Sequence, residues 1–338
     1  YFSWYKFINW PDEYHSWWGI QLLPEVIEED EGYRNYICGE NGILKKWLRC
    51  GIAGYRLDVA DELPDIFLDD LRKCVKSENE NAIIIGEVWE DATNKFAYGQ
   101  RRKYLLGEEL DSVMNYPFAD AILNFVRYAN GNAFFNAVLS IIENYPPQVL
   151  NVLMNHIGTH DTERAITRLA GENPDGHDRA WQFEHNTLSE FDYLKGISMM
   201  KIASLIQFTL PGVPSIYYGD EIGMQGMKDP FNRACMPWNK PNEELLKWYK
   251  RLGQIRHSSK AFIDGDFEKL YCDGGVIAYS RSSEGDNILV AINNSNEQKR
   301  IFVGTQWDNS YSLFDEKSVD GFVNLPPYRY TLLSKKEY

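Results

Sequence analysis

GYRLDVADE, residues 54–62, decides how this chain is read. It has the pattern of a buried strand that stops at a carboxylate. Tyr55 and Leu57 alternate with Arg56 and Asp58, and Val59 and Ala60 lead into a second acidic pair, Asp61 and Glu62. Arg and Asp are costly inside a strand core unless hydrogen-bonded, because both charges lose their water. Two readings fit. In one, Asp58 and Asp61 cap the next helix and Arg56 is a paired structural ion. In the other, Asp58 ends a barrel strand and points into an active site.

Working outward, residues 36–50 carry apolar side chains at helical spacing and run into Gly51, which suits a C-cap. A helix is predicted over about 64–76, with Pro64 in its first turn. AIIIGEVWE (82–90) is a short continuous apolar run ending at Glu87, which fits a parallel strand buried on both faces. Helices are predicted near 96–105 and 118–143, with a short strand at 112–115 between them. VLNVLMNHIGTHD (149–161) reads as a strand ending in His160 and Asp161, and PSIYYGDE (214–221) as one ending in Asp220 and Glu221. Helices are predicted over 193–209 and 243–257. Strand and helix alternate five times, the pattern of a parallel barrel with its site at the C-terminal strand ends. A closed barrel needs eight strands, so the count is short.

The flanks differ in texture. Residues 1–34 are dense in aromatics and broken by Pro11, Gly19 and Pro24, which predicts a long functional loop. From 259 onward, KLYCDGGVIAYSR, NILVAINNS and YRYTLLS alternate apolar and polar residues around turns at 273–274 and 285–286. The expected organisation is therefore a loop excursion at 1–34, a partial (β/α)8 barrel at 35–258 and an antiparallel β-sandwich at 259–338.

Composition narrows the function. A net charge of −14 argues against nucleic acid and anionic membrane surfaces as partners. The 10 Trp and 21 Tyr supply flat apolar faces with polar edges, which suit sugar rings as well as cores. Five cysteines, Cys38, Cys50, Cys74, Cys235 and Cys272, are widely spaced and include no CxxC pair. They read as free thiols in a reducing compartment, so a cytoplasmic location is expected and no zinc site is. No apolar run reaches 18 residues. The chain starts at Tyr1 without a signal-like segment, which reads as an unnatural start.

Three acids each end an apolar strand: Asp58, Glu87 and Asp161, separated by 29 and 74 residues. On parallel strands they would converge on one barrel mouth. Retaining glycosidases need a carboxylate nucleophile and a carboxyl acid/base about 5 Å apart, and a third acid can stabilise the cationic transition state. With these motifs the chain resembles the α-amylase superfamily of glycoside hydrolases. GYRLDVADE, GEVWE and the HD of GTHDT (158–162) match its second, third and fourth motifs in order and spacing. IYYGDEIG (216–223), DPFNR (229–233) and LLPEV (22–26) match further.

That resemblance implies that Asp58 is the nucleophile, Glu87 the general acid/base, and Asp161, with His160 beside it, the grip on the sugar hydroxyls. Arg56 would hold Asp58 ionised. Glu62, where many true α-amylases carry His, resembles the neopullulanase, cyclomaltodextrinase and maltogenic amylase branch, whose members favour short or cyclic maltooligosaccharides. Asp229 and Arg233 match loop residues that bind sugar on the non-reducing side; the alternative is a loop ion pair. Trp89 either stacks on a sugar or packs the rim, whereas Trp17 and Trp18 read as loop packing. The implied activity is retaining hydrolysis of α-1,4 bonds, with α-1,6 bonds and transglycosylation as neighbours. Its substrates are maltooligosaccharides, cyclomaltodextrins or pullulan.

The family's first motif and first three strands are absent, so the alternative is a catalytically silent carbohydrate-binding fragment. The upstream Asn that often helps bind calcium is missing too, and neither a metal nor a cofactor is expected. A barrel open on one side exposes strand edges and apolar surface. The missing segment, or a second copy of the chain, is expected to cover it.

Overall fold

The computed structural model describes residues 1–314, 318–319 and 321–336. They form two compact units, Tyr1–Met114 and Asn115–Tyr338, each considered by itself. In the first, a hairpin of β1 (Phe7–Asn9) and β2 (Glu13–Tyr14) is followed by α1 (Glu31–Cys38), α2 (Ile43–Arg49) and β3 (Gly54–Leu57). Then come α3 (Asp65–Glu78), β4 (Ile83–Gly86), a hairpin of β5 (Phe96–Ala97) and β6 (Gln100–Arg101), and β7 (Ser112–Val113).

Strands β3, β4 and β7 make one parallel sheet in that order. Gly54 lies opposite Ile83 and Leu57 opposite Gly86, so the two strands end level and the next residues, Asp58 and Glu87, leave at the same edge. Gly54 is obligatory here: its φ is +152°, and a Cβ would lie 2.0 Å from the Ile83 carbonyl oxygen. Ile84 and Val113 in the sheet are buried, as are Leu68, Leu71 and Val75 of α3. Each such aliphatic contributes about 1.5–3 kcal/mol relative to exposure.

The second unit begins with α4 (Tyr116–Tyr128), α5 (Gly131–Asn144), α6 (Pro147–Leu150) and β8 (Met154–Asn155). It continues through α7 (Ala165–Ala170), α8 (Arg179–Glu184), α9 (Glu190–Thr209), β9 (Val213–Pro214), α10 (Glu243–Ser258) and α11 (Ala261–Asp264). Strands β8 and β9 pair in parallel around a buried amide network. Asn115 donates to the Asn155 side chain (2.9 Å), Asn155 to the Pro211 carbonyl (2.7 Å), and Gln207 to the carbonyls of Asn155 (3.1 Å) and Ser215 (2.9 Å).

The remaining strands are β10 (Asp266–Asp273), β11 (Val276–Ser283), β12 (Asp286–Asn293), β13 (Lys299–Phe302), β14 (Ser310–Ser312), β15 (Ser318–Val319), β16 (Phe322–Leu325) and β17 (Arg329–Ser334). Six form an antiparallel sheet in the order β10-β11-β12-β17-β14-β15, and β13 pairs with β16. Both sheets feed one core, with Ala278, Leu289, Ala291 and Leu333 from the larger and Ile301, Val323 and Leu325 from the smaller.

Several expectations are corrected. The helix expected over 36–50 is two helices, because Gly39 and Gly42 interrupt it and Gly42 serves as the N-cap of α2. The helix expected at 96–105 is a hairpin, since Tyr98 and Gly99 both take positive φ (51° and 76°), as a I′-type turn requires. The stretch 118–143 breaks where Ala129 turns left-handed and the Asn130 side chain caps α5. The strands expected over 149–161 and 214–221 shrink to two residues each, so His160, Asp161, Asp220 and Glu221 lie beyond the strands in loops and short turns.

Glu109, between β6 and β7, is fully buried, and neither carboxyl oxygen has a hydrogen-bond partner. Burial, reinforced by the charges of Asp65 and Asp69 and opposed by Arg102 and Lys103, pushes it up to about 7 from an ordinary 4.5. The folded chain therefore keeps a proton that the unfolded chain releases, and stability falls as pH rises from about 4.5 to about 7. Glu109→Gln should flatten that fall, narrowing the drop in thermal unfolding midpoint between pH 5 and pH 8 by roughly 3–6 °C in a calorimetric series.

Candidate active site

In the first unit, the chain leaves β3 through a constrained turn. Val59 takes φ 39°, a conformation that β-branched residues avoid, directly after Asp58. The turn is held from the neighbouring strand: the Val59 amide donates to Glu87 Oε2 (2.8 Å), the Ala60 amide to the Glu87 carbonyl (3.3 Å), and the Glu87 amide to the Leu57 carbonyl (2.9 Å). Asp58 and Glu87 are thus carried on strand ends that hydrogen-bond to each other.

One guanidinium serves both acids. Arg56 Nη1 pairs with Asp58 Oδ1, Nη2 lies 3.1 Å from Glu87 Oε1, and Nε contacts the Met114 sulfur at 3.4 Å. The two carboxylates differ in setting: the Asp58 side chain is 73% exposed, whereas that of Glu87 is 7% exposed. Trp89, two residues past Glu87, is about half exposed. Asp61 does not cap α3; it accepts from Tyr104 (2.7 Å) and pairs with Lys95 (2.9 Å). Glu62 accepts from the indole N–H of Trp17 (2.6 Å) and of Trp18 (3.0 Å). The expectation that Trp18 is loop packing is corrected, because its side chain is largely in solvent.

The second unit carries the other group. Asp161 Oδ2 lies 3.1 Å from His160 Nε2 and Oδ1 lies 3.4 Å from Arg233 Nη2; Arg233 also pairs with Asp229 at 3.7 Å. Arg233 Nε donates to the His160 carbonyl (3.0 Å), and buried Asn232 donates to the carbonyls of His160 and Thr162 (both 2.7 Å). The DPFNR segment thus clamps the loop that carries Asp161. Beneath it, fully buried Arg164 donates to the Tyr218 carbonyl, covers the Tyr217 and Tyr218 rings (4.2 and 4.4 Å) and stands 3.6 Å from Asp220. Burial pushes Asp220 up to about 7 despite that cation.

Sequence reasoning did not single out Met114, Asn232, Arg164 or Tyr98. Asn232 sat inside a quoted motif, and Arg164 lies three residues after Asp161, so both had a local signal. Met114 and Tyr98 had none, since only folding brings them to Arg56 and Glu62.

The family model described as alpha amylase, catalytic domain, matches residues 3–310, and the chain belongs to that family of glycoside hydrolases, built on the TIM-barrel fold. It is 32% identical over 315 residues to a cyclomaltodextrinase of Thermoanaerobacter pseudethanolicus, covering 90% of this chain and 49% of that protein. To neopullulanase 2 of Thermoactinomyces vulgaris it is 30% identical over 292 residues, covering 84% and 43%. A debranching enzyme of Nostoc punctiforme has a crystal structure similar to this chain, with a TM-score of 0.80 and 26% identity, covering 98% of this chain and 69% of that one. The chain spans about half the length of these two relatives, and about a fifth of an amylopullulanase of Thermoanaerobacter thermohydrosulfuricus that it also matches. No described helix is long and apolar enough to cross a membrane.

The Arg56 guanidinium reaches the two carboxylates and the Met114 sulfur from three separate nitrogens in a planar fork, whereas a lysine presents a single nitrogen. Arg56→Lys should therefore lose at least one of these contacts and lower the thermal unfolding midpoint by roughly 2–4 °C in calorimetry, with the folded far-ultraviolet circular dichroism spectrum retained.

Proposed function

We propose that this chain carries the catalytic machinery of a retaining α-glucan hydrolase, acting on α-1,4 bonds of maltooligosaccharides and cyclomaltodextrins. In this reading Asp58 attacks the anomeric carbon. Glu87 protonates the leaving oxygen and then takes the proton from the water that releases the sugar. Asp161 and His160 grip hydroxyls of the sugar being cleaved, and the Asp229–Arg233 loop holds the sugar on its non-reducing side. The parallel strands would be part of one (β/α)8 barrel, with the C-terminal sheets as its β-sandwich companion.

The observation that carries this reading is the Arg56 fork, which holds Asp58 and Glu87 at once. Two carboxyl groups in reach of one guanidinium favour the about 5–5.5 Å spacing of retaining enzymes over the about 6.5–9.5 Å that inverting enzymes leave for a water. Their unequal exposure suits their roles: an open nucleophile, and an acid/base sheltered from bulk water. Relatives named cyclomaltodextrinase, neopullulanase and maltogenic α-amylase support the α-glucan class.

Proton NMR of freshly cleaved maltotriose should show the α-anomer first; a β-anomer first would overturn retention. Asp58→Asn should cut hydrolysis by about 10³-fold or more while maltotriose binding persists. A parent chain that binds maltotriose without cleaving it would instead make this a silent carbohydrate-binding fragment.

A further inference from the structure

Glu62 organises a second feature of the first unit. Its two carboxylate oxygens take the indole N–H groups of Trp17 and Trp18, and Tyr98 lines the same cavity as this carboxylate. Trp17 and Trp18 stack with ring centroids 5.4 Å apart. Yet Trp18 is 79% exposed and Tyr98 is 75% exposed. Both also hold left-handed backbone, φ 52° for Trp18 and 51° for Tyr98, which non-glycine residues seldom adopt. The hairpin turn accounts for the backbone of Tyr98 but not for that of Trp18, whose side chain is tied to Glu62 by its polar edge and left largely in water. Such strain collects where a ligand is held.

We infer that Trp18, oriented by Glu62, and Tyr98 form an aromatic platform that stacks on pyranose rings of an α-glucan away from the bond being cleaved. The ligand class rests on the proposed function. The arrangement fits a sugar for three reasons. With the Trp18 indole N–H satisfied by Glu62, the apolar ring face is what a ligand meets, and a pyranose presents a matching face of C–H groups. Glu62 and Tyr98 together line a cavity of about 410 Å³, with Pro64, Ile66 and Gln100 among its other walls, within the usual range for small-ligand sites. Finally, the one cation in its lining, Arg102, is already committed to Asp65 at 3.2 Å and to the carbonyls of Asp61 and Leu63, so a neutral ligand suits the cavity better than an anionic one. Glu62 is then a positioning residue, acting through the rings it holds.

The test uses the full chain with Asp58→Asn to prevent turnover, and titrates maltoheptaose and maltose by isothermal calorimetry. Adding Trp18→Ala or Tyr98→Ala should weaken maltoheptaose about tenfold, as loss of one stacking face does, with a smaller effect on maltose. Trp18→Phe, which keeps a ring face, should restore most of the affinity, and the thermal midpoint should not move because both side chains are exposed. Glu62→Gln should fall between parent and Trp18→Ala. Maltoheptaose affinities within twofold of the parent in both alanine variants would overturn the platform. So would a loss in Trp18→Phe equal to that in Trp18→Ala. If the Asp58 chain cleaves maltotriose and the alanine variants bind normally, the platform fails alone. If that chain cleaves nothing yet binds maltoheptaose through Trp18, the platform stands and the hydrolase reading fails.

Discussion

Everything in the first unit turns on where the Arg56 side chain can sit. A guanidinium one residue inside a strand end would be costly if unpaired, and here two carboxylates on adjacent parallel strands surround it. That pairing requires β3 and β4 to end level. The level ending in turn requires Gly54 to let the strands approach, and the Val59 turn to be held by Glu87. Charge satisfaction and strand register are therefore one constraint. A slip of one residue would leave Arg56 buried against backbone and separate the two acids.

The second unit solves a related problem by different means. The two residues of its HD pair, His160 and Asp161, lie several residues beyond a two-residue strand, where a loop would be free to wander. Asn232 and Arg233 hold the loop through its own carbonyls. Buried Arg164 anchors the following turn on the Tyr217–Tyr218 segment and Asp220. Ordering by backbone hydrogen bonds leaves the Asp161 carboxylate only lightly engaged, at 3.1 and 3.4 Å from its neighbours, so it can exchange those partners for others.

Glu62 shows how a residue's type and its work can diverge. Its place four residues after Asp58 marks a resemblance to one branch of the family, and in the structure both oxygens take indole N–H groups from the early aromatic loop. The Glu62 carboxylate thus fixes the pose of that loop. Nothing in the local pattern of 54–62 announces this, because the partners lie more than forty residues upstream.

What the residues alone determined was where two carboxylates stand at strand ends, after the apolar runs that stop at Asp58 and Glu87, and the presence of the HD pair at 160–161 in motif context. Short-range physics suffices for these. A charge after a buried run has few tolerable fates, and Gly51 and Pro64 mark their boundaries locally. Other features belonged to the tertiary structure. The breaks at Gly39–Gly42 and Ala129 are backbone turns inside stretches whose apolar spacing runs on, and the Tyr98–Gly99 turn replaces the helix expected there. The shared fork of Arg56, the Asn232 clamp and the Trp17–Glu62–Trp18 bracket each join residues far apart in the chain. A hydrogen bond between distant residues has no periodicity to read, so it becomes visible only once the backbone has brought its two ends together.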